Sequence, residues 1–299
     1  KQSDALGEKP IDRLLKMNKP AVDLYRKNGI DLTSESIEID VCAQHCNGGL
    51  SGSIWWESNI KHLYPIGELN GSHGVYRPGG SALNSGQVGG FRAAALISQE
   101  TAKHAFKQSV FLENISSQLE STFIKANNWS NGGIAIDLTR EFKQVKNRMS
   151  KYGGILRSES GCLSALYEIA HQKKILKEFE GLAMSQLPSL YRLEEQLLLQ
   201  ETVFESILDY IRKGGKSRGS YIIQNESSSE SESPVKAFDL TLTLEMDEEN
   251  GYTRKHQQKV YWSGSEFIKE WIPVRPIPSD DLWFETTWRE FREKKIIKR

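Results

Sequence analysis

The sequence is poor in the features that mark several large classes of protein. Its three cysteines, Cys42, Cys46 and Cys162, are too few for a disulfide framework and favour a reducing compartment. Cys42, His45 and Cys46 alone offer too few ligands for a metal site, so no metal is predicted. The 39 basic and 39 acidic residues balance, so the sequence has no excess of positive charge. This argues against non-specific nucleic-acid binding, which requires a basic surface.

Long apolar runs and targeting signals are also missing. No apolar run approaches the ~20 residues that span a bilayer, so no membrane span is predicted. The first residues, KQSDALGEKPIDRLLKMNKP, contain no apolar signal core, no small-residue cleavage site and no initiator methionine in first place. These absences predict a cytoplasmic chain that begins partway through a longer protein.

The spacing of apolar residues predicts an α+β protein. Residues 10 to 29 have helical spacing interrupted by Pro20, and the glycine-rich pieces from Asn47 to Gly90 favour short strands and turns. Beyond Gly86 a helix is predicted whose first turns pack very closely on a neighbour. Helical periodicity then recurs to residue 212, with short breaks, which predicts a bundle of antiparallel helices.

The last part of the sequence changes character again. Residues 225 to 234, NESSSESESP, have the polar composition of a loop. AFDLTLTLEMD alternates apolar and polar residues, and KVYWSG follows across EENGYTR. We predict that these two segments pair as one β-hairpin. The carboxyl-terminal arm is predicted to be extended at first and helical after Asp280.

One stretch, HGVYRPGGSALNSGQ, suggests a ligand site. Gly79 and Gly80 allow the backbone to approach a flat ligand closely, and Arg77 carries a fork suited to a carboxylate. Glu68, just upstream, could accept hydrogen bonds from sugar-like hydroxyls. Backbone N–H donors without a partner inside the helix are expected where a helix begins, at Ser81, Ala82 and Leu83. The alternative is a glycine-rich turn that only feeds a buried helix.

This stretch resembles a block of the succinate dehydrogenase and fumarate reductase family of flavoproteins. That block reads Gly-Glu, a few residues, then His-Gly-x-x-Arg-x-Gly-Gly-x-x-Leu. The matching residues here are Gly67, Glu68, His73, Gly74, Arg77, Gly79, Gly80 and Leu83. CAQHCNGGL, MSKYGGILRSESGCLSALYEI and KSRGSY are similar to further blocks of the family, in the same order.

The resemblance implies an FAD site and a carboxylate substrate. Gly67, Glu68, Gly79, Gly80 and the start of the following helix (Ser81, Ala82, Leu83) would contact FAD, and Arg77 would bind the substrate. The family's substrate histidine falls on Gln44 in an ungapped alignment, whereas a one-residue deletion would place it at His45. Both residues remain candidates. No catalytic residue is assigned, because the family's proton-donating arginine would lie before residue 1.

The sequence contains no G-x-G-x-x-G motif after a predicted strand, although the family begins with such a dinucleotide-binding unit. The resemblance therefore implies that the sequence is the carboxyl-terminal half of such a flavoprotein. This half would be inactive without the amino-terminal half, and an electron-transfer subunit is a possible further partner. The expected segments are residues 1–40 (tail of a capping domain), 41–100 (return to the FAD domain), 101–221 (helical domain) and 222–299 (loop, hairpin and arm). The alternative is a non-catalytic helical module that docks a flavoprotein or iron–sulfur partner.

Overall fold

The structure, a computed structural model, describes most of the chain. The described residues are 9–38, 47–73, 80–100, 107–130, 136–178, 183–219, 221–224, 234–237, 240–243, 251–276, 279–293 and 295. The chain divides into two compact units, residues 1–46 and residues 47–299.

The described residues contain eight α-helices and six short strands. The helices are α1 Pro10–Lys27, α2 Ser81–Glu100, α3 Gln108–Ser130, α4 Leu138–Tyr152, α5 Glu159–Glu178, α6 Leu187–Arg212, α7 Tyr252–Lys255 and α8 Trp283–Arg292. The strands are β1 Leu156–Arg157, β2 Ile222–Ile223, β3 Pro234–Ala237, β4 Leu240–Thr243, β5 His256–Trp262 and β6 Phe267–Pro273. The predicted α+β class is confirmed. Within the residues described, none of these helices is both long enough and apolar enough to cross a membrane.

Helix α1, in the first unit, bends where the sequence predicts a break. Asn18 has non-helical dihedral angles (φ −150°, ψ 59°), two residues before Pro20. A proline inside a helix removes one backbone hydrogen bond and clashes with the preceding turn, which accounts for the bend. The helix ends at Lys27, and Gly29 follows at a positive φ of 83°.

The hydrophobic core of the second unit lies among α4, α5 and α6. Ile169 of α5 and Leu193, Leu197 and Phe204 of α6 are fully buried there. Helix α3 joins this core through Trp129, whose indole N–H donates to the carbonyl of Leu176 (3.1 Å). The predicted helical bundle therefore forms, because the apolar residues recur at helical spacing and face one another.

A buried arginine links the three core helices. Arg148 of α4 is 3% exposed, and each of its three nitrogens donates a hydrogen bond to a different side chain. The acceptors are Glu168 and Gln172 of α5 (3.1 and 2.8 Å) and Gln200 of α6 (2.9 Å). A buried charge is costly unless it is paired and hydrogen-bonded, and this network gives each nitrogen of the Arg148 guanidinium an acceptor.

The strands form three separate pairs. β1 and β2 are parallel, with Leu156 opposite Ile222. β3 pairs antiparallel with β4, and β5 pairs antiparallel with β6. A carboxyl-terminal hairpin is thus present, but the predicted pairing of AFDLTLTLEMD with KVYWSG is wrong, because each segment pairs with its own sequence neighbour. The helix predicted after Asp280 is present as α8.

Candidate functional site

Helix α2 packs through a face made of glycines. Gly86, Gly89 and Gly90 lie three and four residues apart and therefore share one side of the helix. A Cβ on Gly86 would lie 3.4 Å from the Cα of Gly67, and one on Gly90 would lie 3.8 Å from a methyl carbon of Ile66. The close packing predicted for the first turns of this helix is confirmed, and it brings the segment around Gly67 against α2.

A second close approach joins two further glycine-rich pieces. Leu50 and Asn70 form an isolated parallel bridge, in which the Leu50 amide donates to the carbonyl of Leu69 (2.8 Å) and the Gly71 amide donates to the carbonyl of Leu50 (3.0 Å). A Cβ on Gly49 would lie 2.9 Å from the amide nitrogen of Gly71. Only glycine fits at position 49. The short strands predicted between Asn47 and Gly90 are reduced, in the described residues of this range, to this bridge.

Two of the sequence blocks that carry the family resemblance therefore meet in space, the end of CAQHCNGGL and the block that runs from Gly67 to Leu83. The piece containing Gly49 contacts residues 69–71, and the turn Gly67–Leu69 contacts the second turn of α2. The hydroxyls of Ser72 and Ser85 lie 3.2 Å apart and join the same two segments. The candidate residues Gly67 and Glu68 thus lie beside the helix that starts at Ser81.

Among the residues that the structure describes, which exclude 74–79, none fills the space at the amino-terminal end of α2. No described atom lies within 4 Å of a Cβ placed on Gly80, and Leu83 is 77% exposed. Gly67 has a positive φ of 72° and is open in the same way. No acidic residue stands in the first turn of α2 to neutralise the partial positive charge of the helix end. This end of the helix is suited to an electron-rich oxygen atom.

Four candidate residues lie outside the described residues. Arg77 and Gly79 fall in the interval 74–79, and Gln44 and His45 fall in the interval 39–46. Their assignments, like those of the other site residues, stay predictions. Among the residues that the structure does describe, no group of three or more His, Cys, Asp or Glu side chains could hold a metal ion.

A cluster that the sequence interpretation missed lies on the same helix. The guanidinium carbon of Arg92 is 4.3 Å from the ring centroid of Trp55 and 5.9 Å from that of Trp56. A Cβ on Gly89 would lie 2.6 Å from the indole nitrogen of Trp56, so this glycine makes room for the indole. Gly89 and Gly90, shortly before Arg92, could have indicated this cluster from the sequence, because adjacent glycines in a helix mark a place where a bulky group approaches it.

A cavity of about 530 Å³ lies between α4 and α5 and is lined in part by Arg148. Each nitrogen of this arginine already donates to a protein side chain. The cavity therefore presents no unsatisfied buried charge for a ligand, and we do not assign it a function.

Sequence comparisons find relatives among FAD-dependent oxidoreductases. No protein-family model matches the chain. An uncharacterized FAD-dependent oxidoreductase of Methanocaldococcus jannaschii is 27% identical over 216 residues, which are 72% of this chain and 36% of that protein. A fumarate reductase (CoM/CoB) polypeptide of Methanothermobacter marburgensis is 39% identical over 82 residues, 27% of this chain and 14% of that protein.

Solved structures show the same fold. The quinol fumarate reductase of E. coli aligns with a TM-score of 0.67 at 18% identity, over 92% of this chain and 44% of that one. The chain is related to the flavoproteins of the fumarate reductase and succinate dehydrogenase type. The Sdh1 complex of Mycobacterium smegmatis aligns with a TM-score of 0.65 at 16% identity, over 97% of this chain and 46% of that one. The chain thus spans less than half the length of these relatives and solved chains.

Proposed function

We propose that this chain supplies one side of the flavin site of an FAD-dependent oxidoreductase of the fumarate reductase or succinate dehydrogenase type. The single observation that carries the proposal is the meeting of three glycine-rich segments, around Gly49, Gly67 and the first two turns of α2, which pack backbone against backbone. No residue of the described ranges fills the space at the helix end. The relationship to FAD-dependent oxidoreductases supports it.

The residues at the start of α2 suit the flat ring of FAD, whose carbonyl oxygens accept hydrogen bonds. Gly80 offers room at the helix end, and the backbone N–H groups of Ser81, Ala82 and Leu83 are donors of the kind that stabilise negative charge. Glu68, exposed in the neighbouring turn, has a carboxylate that can accept hydrogen bonds from ribityl or ribose hydroxyls. Each group is of the type that the cofactor requires.

When bound, FAD supplies hydride transfer to or from a carbon next to a carboxylate. In the proposed assignment, the guanidinium of Arg77 binds the carboxylate of the substrate through two parallel N–H donors and orients it. His45 or Gln44 binds the other end of the substrate. The N–H donors at the start of α2 would stabilise negative charge on the bound cofactor by electrostatic preorganisation.

The other side of the flavin site would come from a dinucleotide-binding unit outside this sequence. The sequence carries no G-x-G-x-x-G motif after a strand, and the general acid is likewise assigned to that unit. We therefore propose that the chain alone is inactive. An electron-transfer subunit is a further proposed partner, because the chain shares its fold with flavoproteins from multi-subunit complexes.

The test combines this chain with a separately produced Rossmann-type flavin-binding chain from the same group of flavoproteins. Visible flavin absorbance that stays with the protein after gel filtration measures cofactor retention. The variant Gly80→Phe places a ring in the open space at the helix end. We expect it to lower flavin retention about tenfold or more, equivalent to about 1.4 kcal/mol or more of binding free energy, at unchanged melting temperature.

Ser98→Phe is the matched control, because it adds the same ring to an exposed residue near the opposite end of α2. Flavin retention should stay at the wild-type value in this variant. Equal retention in wild type and Gly80→Phe would refute the assignment of the helix end to FAD. A mixture that forms a stable complex but never retains flavin would favour the non-catalytic assembly module instead.

A further inference from the structure

Arg92 and the two tryptophans that surround it form a small cluster, here called the Arg92 cluster (Trp55, Trp56, Arg92). The guanidinium lies over the face of Trp55 at 4.3 Å, close enough for a cation–π interaction. By helix geometry, Arg92 lies about 16 Å along α2 from Ser81. The cluster therefore lies away from Ser81, Ala82 and Leu83, and its role does not depend on a flavin bound at those residues.

Two features of Trp56 are unusual. Its backbone φ is +62°, in the left-handed region that bulky residues rarely occupy. Its indole N–H is buried and has no hydrogen-bond acceptor among the described residues. Each feature is energetically unfavourable, the first because the side chain crowds the backbone and the second because a buried donor lacks an acceptor. Such costs gather at functional sites, where the surrounding structure maintains them.

The charge of Arg92 is the third unusual feature. Within the part of the chain that the structure describes, no carboxylate pairs with its guanidinium, and its Nε is buried without an acceptor. Burial lowers the pKa of Arg92, and the positive charge of Arg275 lowers it further. A half-buried cation next to a second cation is unfavourable unless an anion accompanies it, because buried charges are normally paired.

The geometry points to an oxyanion site at the Arg92 cluster, where a carboxylate or phosphate binds the guanidinium of Arg92. The guanidinium fork matches two oxygens of either group. Trp55 covers one face of the guanidinium and holds it in place, while Arg275 adds a second positive charge. The indole of Trp56, seated against Gly89, fixes the position of the cluster on the helix. An anion bound here would compensate the desolvated charge.

Isothermal titration calorimetry at constant ionic strength tests the proposal with two probes. Malonate represents a carboxylate source, and inorganic phosphate represents a phosphoryl source. We expect saturable binding of at least one probe to the wild-type chain. Arg92→Gln should weaken that binding at least tenfold. Arg92→Lys, which keeps the charge but loses the fork, should give an intermediate affinity.

The matched control is Arg140→Gln, because Arg140 is exposed and its replacement removes the same charge from the chain. Binding of malonate alone identifies a carboxylate site, binding of phosphate alone identifies a phosphoryl site, and comparable binding of both identifies a general oxyanion site. All three results support the proposal. The proposal is overturned if neither malonate nor phosphate shows saturable binding. It is also overturned if the affinity of the wild-type chain is unchanged in both Arg92→Lys and Arg92→Gln. Circular dichroism confirms that each variant keeps its fold.

Discussion

Replacement of Arg148 by methionine should destabilise the helical core strongly. The change keeps a long, flexible side chain of similar length but removes all the donors that bind Glu168, Gln172 and Gln200. Gln172 and Gln200 are 2% and 6% exposed, so their amide oxygens would lose a charged donor without gaining water. The perturbation therefore leaves two buried acceptors unsatisfied.

The expected magnitude follows from the burial of each partner. A buried acceptor left without its partner costs about 1–3 kcal/mol. The pair with Glu168 adds little, of the order of 0.5 kcal/mol, because that carboxylate is 45% exposed and can be solvated. Removal of the arginine charge from the interior recovers part of the loss. We expect a net decrease of about 2–4 kcal/mol in the free energy of unfolding.

Urea denaturation followed by far-ultraviolet circular dichroism measures this difference, because most of the described residues are helical. Lys151→Met is the matched control, since Lys151 is an exposed cation on the same helix. It should change the free energy of unfolding by less than about 0.5 kcal/mol. The reasoning would be refuted if Arg148→Met and Lys151→Met had equal effects.

Three further predictions concern other parts of the structure. Gly89→Ala should lower the free energy of unfolding by about 1–3 kcal/mol, because its Cβ would lie 2.6 Å from the indole nitrogen of Trp56. Thermal unfolding checks this, with Gly80→Ala as the control at a position where no described atom is close. Equal melting temperatures of the two variants would contradict the prediction. Burial raises the pKa of the Cys162 thiol from 9.0 to about 11, so the stability that the neutral thiol contributes is complete below pH 9 and is lost as pH rises towards 11. Urea midpoints across this range should fall less steeply in Cys162→Ala, and the same slope in both proteins would show that the thiol is not responsible. Trp271→Phe removes the indole N–H that donates to the carboxylate of Asp209 in α6 at 2.8 Å, and it should lower the free energy of unfolding by about 1 kcal/mol. An unchanged urea midpoint would show that this hydrogen bond does not stabilise the position of β6.

The sequence predicted those features that depend on periodicity. The core helices follow from apolar residues at helical spacing, and the close packing of α2 follows from Gly86, Gly89 and Gly90. Strand partners were predicted less well, because alternation marks a strand without identifying its neighbour; β4 therefore pairs with β3 and not with the segment of β5. The left-handed backbone of Trp56 could not be predicted, since it is imposed by packing and opposes the local preference of the residue.

The glycine face of α2 also bears on the order in which the chain acquires its structure. Three glycines within five positions weaken the intrinsic helicity of this segment by about 0.5–1 kcal/mol each relative to alanine. The helix therefore depends on its contacts with residues 49 to 71 for stability, and those residues have no strand ladder of their own to hold them. Helix and loop should consequently open together as one cooperative unit, with matching amide hydrogen-exchange rates. A ligand that clamps either segment would slow exchange in both.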